Sequence, residues 1–168
     1  KSKEINKGRL IYCPPYTLIS SLSKKFKNCQ IGIGGQNCHE SENYGPYTGS
    51  VNSKMLKNIG AQFVIIGHSE CREKGDNDKL ISLKIKSALE AKLKVIFCIG
   101  ETLTEKKKKK TLLILSKQIN IGLKYVKNKS DIFIAYEPVW AIGSGLVPRS
   151  NDLLKTIDFI KSKFKDKS

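Results

Sequence analysis

Arginine is scarce in this 168-residue chain: Arg9, Arg72 and Arg149 stand among 31 basic residues, against 15 acidic ones. The net charge of +16 could suggest nucleic acid, but readers of phosphate and base edges favour the bidentate guanidinium. The lysines are instead scattered along helical segments, without a basic face interleaved with aromatics, so no nucleic-acid partner is expected. CxxC spacing is also missing. Cys13, Cys29, Cys38, Cys71 and Cys98 form an odd set, which argues against a disulfide framework. Cys38 and His39 are adjacent but have no second ligand pair, so no metal site is expected. Free thiols in a reducing compartment are the simpler reading. Long apolar runs are missing too: none reaches the roughly 18 to 20 residues of a membrane span, and no secretory leader is visible. The expectation is a soluble, cytoplasmic protein without membrane contact. The chain opens on Lys1 rather than Met, so its natural start is not expected within it.

What is present is a hydrophobic share of 39%, enough for the core of one domain spanning residues 1–168. Short apolar runs at Leu10–Cys13, Gln30–Ile33, Phe63–Ile66, Val95–Ile99 and Ile132–Tyr136 have the length and β-branching of strands buried on both faces. Amphipathic stretches lie between them. Ile81, Ile85 and Ala88 share one helical stripe, as do Leu112, Leu115 and Ile119, and Leu153, Ile157, Ile160 and Phe164, the last with Ser150 as its expected N-cap. Strand and helix in alternation predict an α/β fold with a parallel sheet and right-handed crossovers. Doubly wound sheets and (βα)8 barrels both fit, and periodicity does not choose between them. Gly32-Ile33-Gly34-Gly35 lacks the GxGxxG spacing of a dinucleotide loop. His68-Ser69-Glu70, Gly100-Glu101 and Glu137 all sit just past strand ends, which in a barrel converge on one face.

Two of these exits carry the chemistry. Glu137 leaves an apolar strand into Pro138-Val139-Trp140-Ala141-Ile142-Gly143-Ser144-Gly145. A carboxylate is a weak base in water, so taking a carbon-bound proton requires apolar cover, which the loop supplies. Pro138 stiffens its near end and the glycines free its far end, as suits a lid. His68 follows Gly67 and precedes Ser69-Glu70, which can open a helical turn; the positive end of that turn favours a neutral, hydrogen-bond-donating ring. A base and an oxygen-polarising imidazole are the pair needed for proton transfer beside a carbonyl.

These two segments resemble triosephosphate isomerase, a family that is itself the standard illustration of the pairing. Tyr12-Cys13-Pro14-Pro15-Tyr16-Thr17, Gly35-Gln36-Asn37, Gly45-Pro46-Tyr47-Thr48-Gly49 and Cys98-Ile99-Gly100-Glu101-Thr102-Leu103 match further motifs in the same order. The resemblance implies a (βα)8 TIM barrel of which this chain covers roughly strands 2 to 6, with strand 1 and strands 7 and 8 missing. It implies Glu137 as general base, His68 as electrophile, Ser69 and Glu70 in support, and residues 138 to 145 as the lid, the amide of Gly143 binding phosphate. It also implies a phosphorylated triose substrate, no cofactor, and a homodimer in which Thr48 and Gly49 lie on the loop entering the partner. Ser50 and Cys71 replace the Glu and Arg that usually pair across that interface. The family's lysine-bearing first strand has no match before Leu10, so the chain alone is expected to be inactive. The rival readings are a barrel relative that binds or scaffolds without catalysis, and a basic nucleic-acid module; the joint presence of Glu137, His68 and the lid favours the enzyme.

Overall fold

A computed structural model describes residues 10–164. Lys1 and Arg9, considered above, lie outside the described residues. Five parallel strands form one sheet: β1 (Leu10–Tyr12), β2 (Ile31–Gly35), β3 (Phe63–Ile66), β4 (Lys94–Ile99) and β5 (Ile132–Tyr136). Their spatial order is the chain order, β1-β2-β3-β4-β5. A doubly wound sheet reverses its strand order at a switch point; this one does not, so it is an arc of a barrel.

Register explains how the arc is covered. Val64, Val95 and Ile132 stand side by side on β3, β4 and β5 and are all buried in the main apolar cluster. The next row, Ile65, Ile96 and Phe133, points to the opposite face, where Ile65 and Ile96 are half-buried and Phe133 is exposed. One face therefore packs under helices and the other forms the concave inner wall.

The helices are α1 (Tyr16–Lys25), α2 (Ser53–Asn58), α3 (Ser69–Glu73), α4 (Asp78–Glu90), α5 (Leu103–Lys107), α6 (Thr111–Gly122) and α7 (Ser150–Phe164). On α4, Ile81, Ile85 and Ala88 are buried as their spacing predicts. On α6, Leu115 and Ile119 are buried, but Leu112 is exposed and not part of the core stripe. On α7, Ile160 is buried and Leu153, Ile157 and Phe164 are half-buried. Ser150 is the first helical residue of α7 and not its cap: Leu153 N donates to Arg149 O, placing Arg149 ahead of the helix. Side-chain caps do start α2 from Asn52, α4 from Asn77 and α5 from Thr102, the last with the reciprocal Glu105 bond of a capping box.

Two ion pairs fix the loops at the carboxyl ends of the strands. Lys84 of α4, nearly inaccessible, meets Asp76 at 2.6 Å and also donates to Asn37 just past β2. Arg72 of α3 pairs with Asp78 at 2.7 Å while donating to the carbonyls of Gly67 and Cys98. Its guanidinium thus ties the exit of β3 to that of β4, a fork that lysine lacks.

Candidate active site

Because the sheet is parallel, Gly67-His68, Gly100-Glu101 and Glu137 emerge at the same end. Gly67 has φ +82, a conformation a side chain resists, and it turns the chain sharply out of β3. His68 is then the residue ahead of α3, and its Nδ1 accepts from Glu70 N at 3.4 Å. A ring that accepts at Nδ1 carries its proton on Nε2 when neutral. That Nε2 lies 3.2 Å from Glu137 Oε2. The other carboxylate oxygen, Oε1, accepts from Ser69 N at 2.8 Å. Ser69 and Glu70 thus support the pair through their backbone amides.

The site sits on an open rim. The Glu137 side chain keeps 17% of its accessible surface and His68 34%, so a small molecule can reach both. Glu137 has its backbone placed by β4: its N–H donates to Ile99 O at 2.9 Å. Beside it, a Cβ on Gly100 would stand 1.8 Å from Glu137 O. Only glycine permits that approach.

The segment after Glu137 is a single 3-10 turn, Val139–Ala141, followed by an exposed stretch. Gly143 and Gly145 have φ of +66 and +72, and nothing lies within 4 Å of a Cβ built at either. Ser144 donates to Trp140 O and accepts from Leu146 N, closing a small loop of its own. Ile142, Leu146 and Val147 expose apolar surface to solvent. The far end of this loop is therefore held by local bonds only, whereas its near end is anchored.

The anchor is Glu101, which the sequence reading noted at a strand exit without a role. It is buried and accepts from Trp140 Nε1 at 2.9 Å and from the Tyr136 hydroxyl at 3.0 Å. Burial, joined by the charge of Glu101, pushes the Tyr136 hydroxyl well above the ordinary phenol range and keeps it a donor. Lys106 Nζ stands 3.2 Å over the Trp140 ring, a cation–π contact of about 0.5 to 2 kcal/mol. Behind these groups is a cavity of about 280 Å³ that also reaches Pro148, Asp152 and Lys155. Among the described residues no cluster of three or more His, Cys, Asp or Glu side chains is placed to hold a metal ion.

Thr48 and Gly49 lie well away in sequence, on an exposed loop with Tyr44 and Tyr47 outward; Gly49 has φ +82. Cys71, on α3, is half-buried and Ser50 is half-buried at the end of that loop.

Known proteins are similar to this chain over most of its length. The family model described as triosephosphate isomerase matches residues 1–168. The triosephosphate isomerase of Alkaliphilus metalliredigens is 39% identical over 161 residues, covering 94% of this chain and 64% of that protein. That of Chlorobium luteolum is 42% identical over 139 residues, covering 82% and 55%. The crystal structure of triosephosphate isomerase from Bartonella henselae superimposes with a TM-score of 0.84 at 39% identity, covering 94% of this chain and 63% of that one. The chain thus spans less than two thirds of the length of these relatives.

Proposed function

Because the chain belongs to the triosephosphate isomerase family, we propose that its site interconverts dihydroxyacetone phosphate and D-glyceraldehyde 3-phosphate. The observation that carries this reading is the 3.2 Å approach of His68 Nε2 to Glu137 Oε2 from strands two apart. The carbonyl oxygen of the triose takes the Nε2–H as donor, and the carboxylate faces the adjacent carbon. Glu137 removes the carbon-bound proton, and the electron pair moves into the carbonyl as an enediol(ate) forms. His68 stabilises the oxygen where that charge develops. The hydroxyl proton passes from the oxygen of the deprotonated carbon to the former carbonyl oxygen, with His68 Nε2 between the two. Return of the carbon-bound proton from Glu137 to the former carbonyl carbon then completes the exchange without any net oxidation.

To reach carbon, the carboxylate must leave the Ser69 amide that holds Oε1 in the resting arrangement. The lid from Pro138 to Gly145 then covers the substrate, with the Gly143 amide on the phosphate. Its free glycine end and its Glu101-anchored near end suit a hinged closure that excludes water. We read Thr48 and Gly49 as part of a homodimer contact, supported by the exposed Tyr44 and Tyr47 beside them. A cytoplasmic setting is supported by the five free thiols among the described residues. Among these residues, no helix is long and apolar enough to cross a membrane.

The test is a coupled isomerase assay on the complete gene product with glyceraldehyde and glyceraldehyde 3-phosphate in parallel. Turnover of the phosphate ester alone supports the reading; no turnover of either compound refutes it.

A further inference from the structure

Gln118 is a polar side chain set among the apolar residues of α6, between Leu115 and Ile119, and only 8% of it is exposed. Its carboxamide is spent entirely on one backbone residue. Gly100 N donates to Gln118 Oε1 at 3.0 Å, and Gln118 Nε2 donates to Gly100 O at 3.0 Å. The first of these bonds falls on the peptide plane that joins Ile99 to Gly100. The carbonyl of that plane is the acceptor for Glu137 N. In a trans peptide the N–H and C=O point to opposite sides, so Gln118, the 99–100 peptide and the Glu137 backbone form one continuous chain of hydrogen bonds. The second bond holds the next plane, which leads directly into Glu101, the anchor of Trp140.

We propose that Gln118 is a positioning residue: by fixing both peptide planes of Gly100 from α6, it sets where the Glu137 carboxylate and the Glu101 anchor stand. It touches no substrate. Gly100 transmits the constraint because its Cα is packed against Glu137 O, with no room for a Cβ between them. Without the carboxamide, the Gly100 N–H and C=O are buried and unpaired, and the loop must shift to recover partners. A shift of about 1 Å at a catalytic group costs about 100-fold in rate. This inference rests on Glu137 being the base.

The experiment compares the complete wild-type gene product with Gln118→Leu and Gln118→Glu by steady-state kinetics across pH, and by hydrogen exchange at the Gly100 amide. Gln118→Leu should lower kcat by about 10- to 100-fold with KM within about threefold. In Gln118→Glu, a protonated carboxyl can make both bonds, but the ionised form has no donor for Gly100 O. Its kcat relative to wild type should therefore fall as pH rises. A merely structural residue would lower the melting temperature yet leave kcat per folded molecule unchanged and add no pH step. A folded Gln118→Leu protein with kcat within about twofold of wild type would overturn the proposal. If Gln118→Leu does not fold, the pH profile of Gln118→Glu decides: a profile tracking wild type overturns it. Failure of the underlying isomerase reading shows differently, as absence of turnover in the wild type. In that event exchange at Gly100, which needs no substrate, still reads the anchor: it should speed at least about tenfold in Gln118→Leu or, if that protein does not fold, in Gln118→Met, since neither side chain offers the amide an oxygen, and unchanged exchange overturns the proposal.

Discussion

Gly100→Ala is the most demanding single substitution the site offers. A Cβ at this position would sit 1.8 Å from Glu137 O, 2.9 Å from the Glu137 carbonyl carbon and 3.4 Å from Val139 Cγ2. Two of the three atoms are backbone, so no rotamer change relieves the contact. Restoring an ordinary separation of about 3.5 Å requires the exits of β4 and β5 to part by roughly 1.7 Å. Such overpacking should cost about 1 to 3 kcal/mol of stability. Because the shift falls on the backbone of Glu137, kcat should fall by about 100-fold or more, with a much smaller change in KM. Thermal unfolding and a coupled isomerase assay on the complete gene product measure both. A Gly100→Ala protein with wild-type stability and turnover would refute the reasoning, since it would mean that β4 does not constrain the base.

Other substitutions probe the remaining parts. His68→Ala should cost about 2.7 to 4 kcal/mol of transition-state stabilisation by removing the Nε2–H donor, while His68→Gln should keep weak activity; equal rates for His68→Ala and wild type would exclude the donor role. Burial pushes the Cys98 thiol up to about 12 and Cys13 up to about 11, from 9.0. Both fold with the proton bound, so their contribution to stability is whole below pH 9 and is lost as pH rises from there toward 11 to 12. Denaturation midpoints measured from pH 8 to 11 should decline, and less steeply once Cys98→Ala and Cys13→Ala are combined; a flat profile would contradict the burial. The 168-residue chain expressed alone should self-associate, because among the described residues β1 and β5 each pair on one side only and Phe133 is exposed. A monodisperse monomer in size-exclusion chromatography, with turnover near that of a full-length relative, would rule this out.

The strands with the least ambiguous composition were legible from sequence: Phe63–Ile66 and Ile132–Tyr136 hold to the residue. β2 runs two residues further than its β-branched pattern because Gly34 and Gly35 continue it. Glycine reads as a strand end, but a Cβ at Gly34 would press on Cys13 Sγ at 2.7 Å and on Phe63 Cβ at 3.0 Å, so the pairing there depends on having none. The helices α2, α3 and α5 span 6, 5 and 5 residues, too few for a 3.6-residue period to appear. Glu137 and His68 were visible because each breaks an apolar run at its exit. Glu101 and Gln118 were not. The partners of Glu101 lie 35 and 39 residues along the chain and the partner of Gln118 lies 18 away, so no local pattern announces either. Periodicity likewise does not choose between barrel and doubly wound sheet; the resemblance points to the barrel, and the strand order, a property of space, agrees with it.

The central claim is that Glu137 carries a proton between two carbons of a triose phosphate. Its most direct test is to incubate the complete gene product with dihydroxyacetone phosphate in deuterated water and follow deuterium entering the carbon-bound position by proton NMR. The account predicts rapid incorporation by the wild type and a loss of several orders of magnitude in Glu137→Gln, whose amide cannot take the proton. Incorporation by folded Glu137→Gln at the wild-type rate would contradict it.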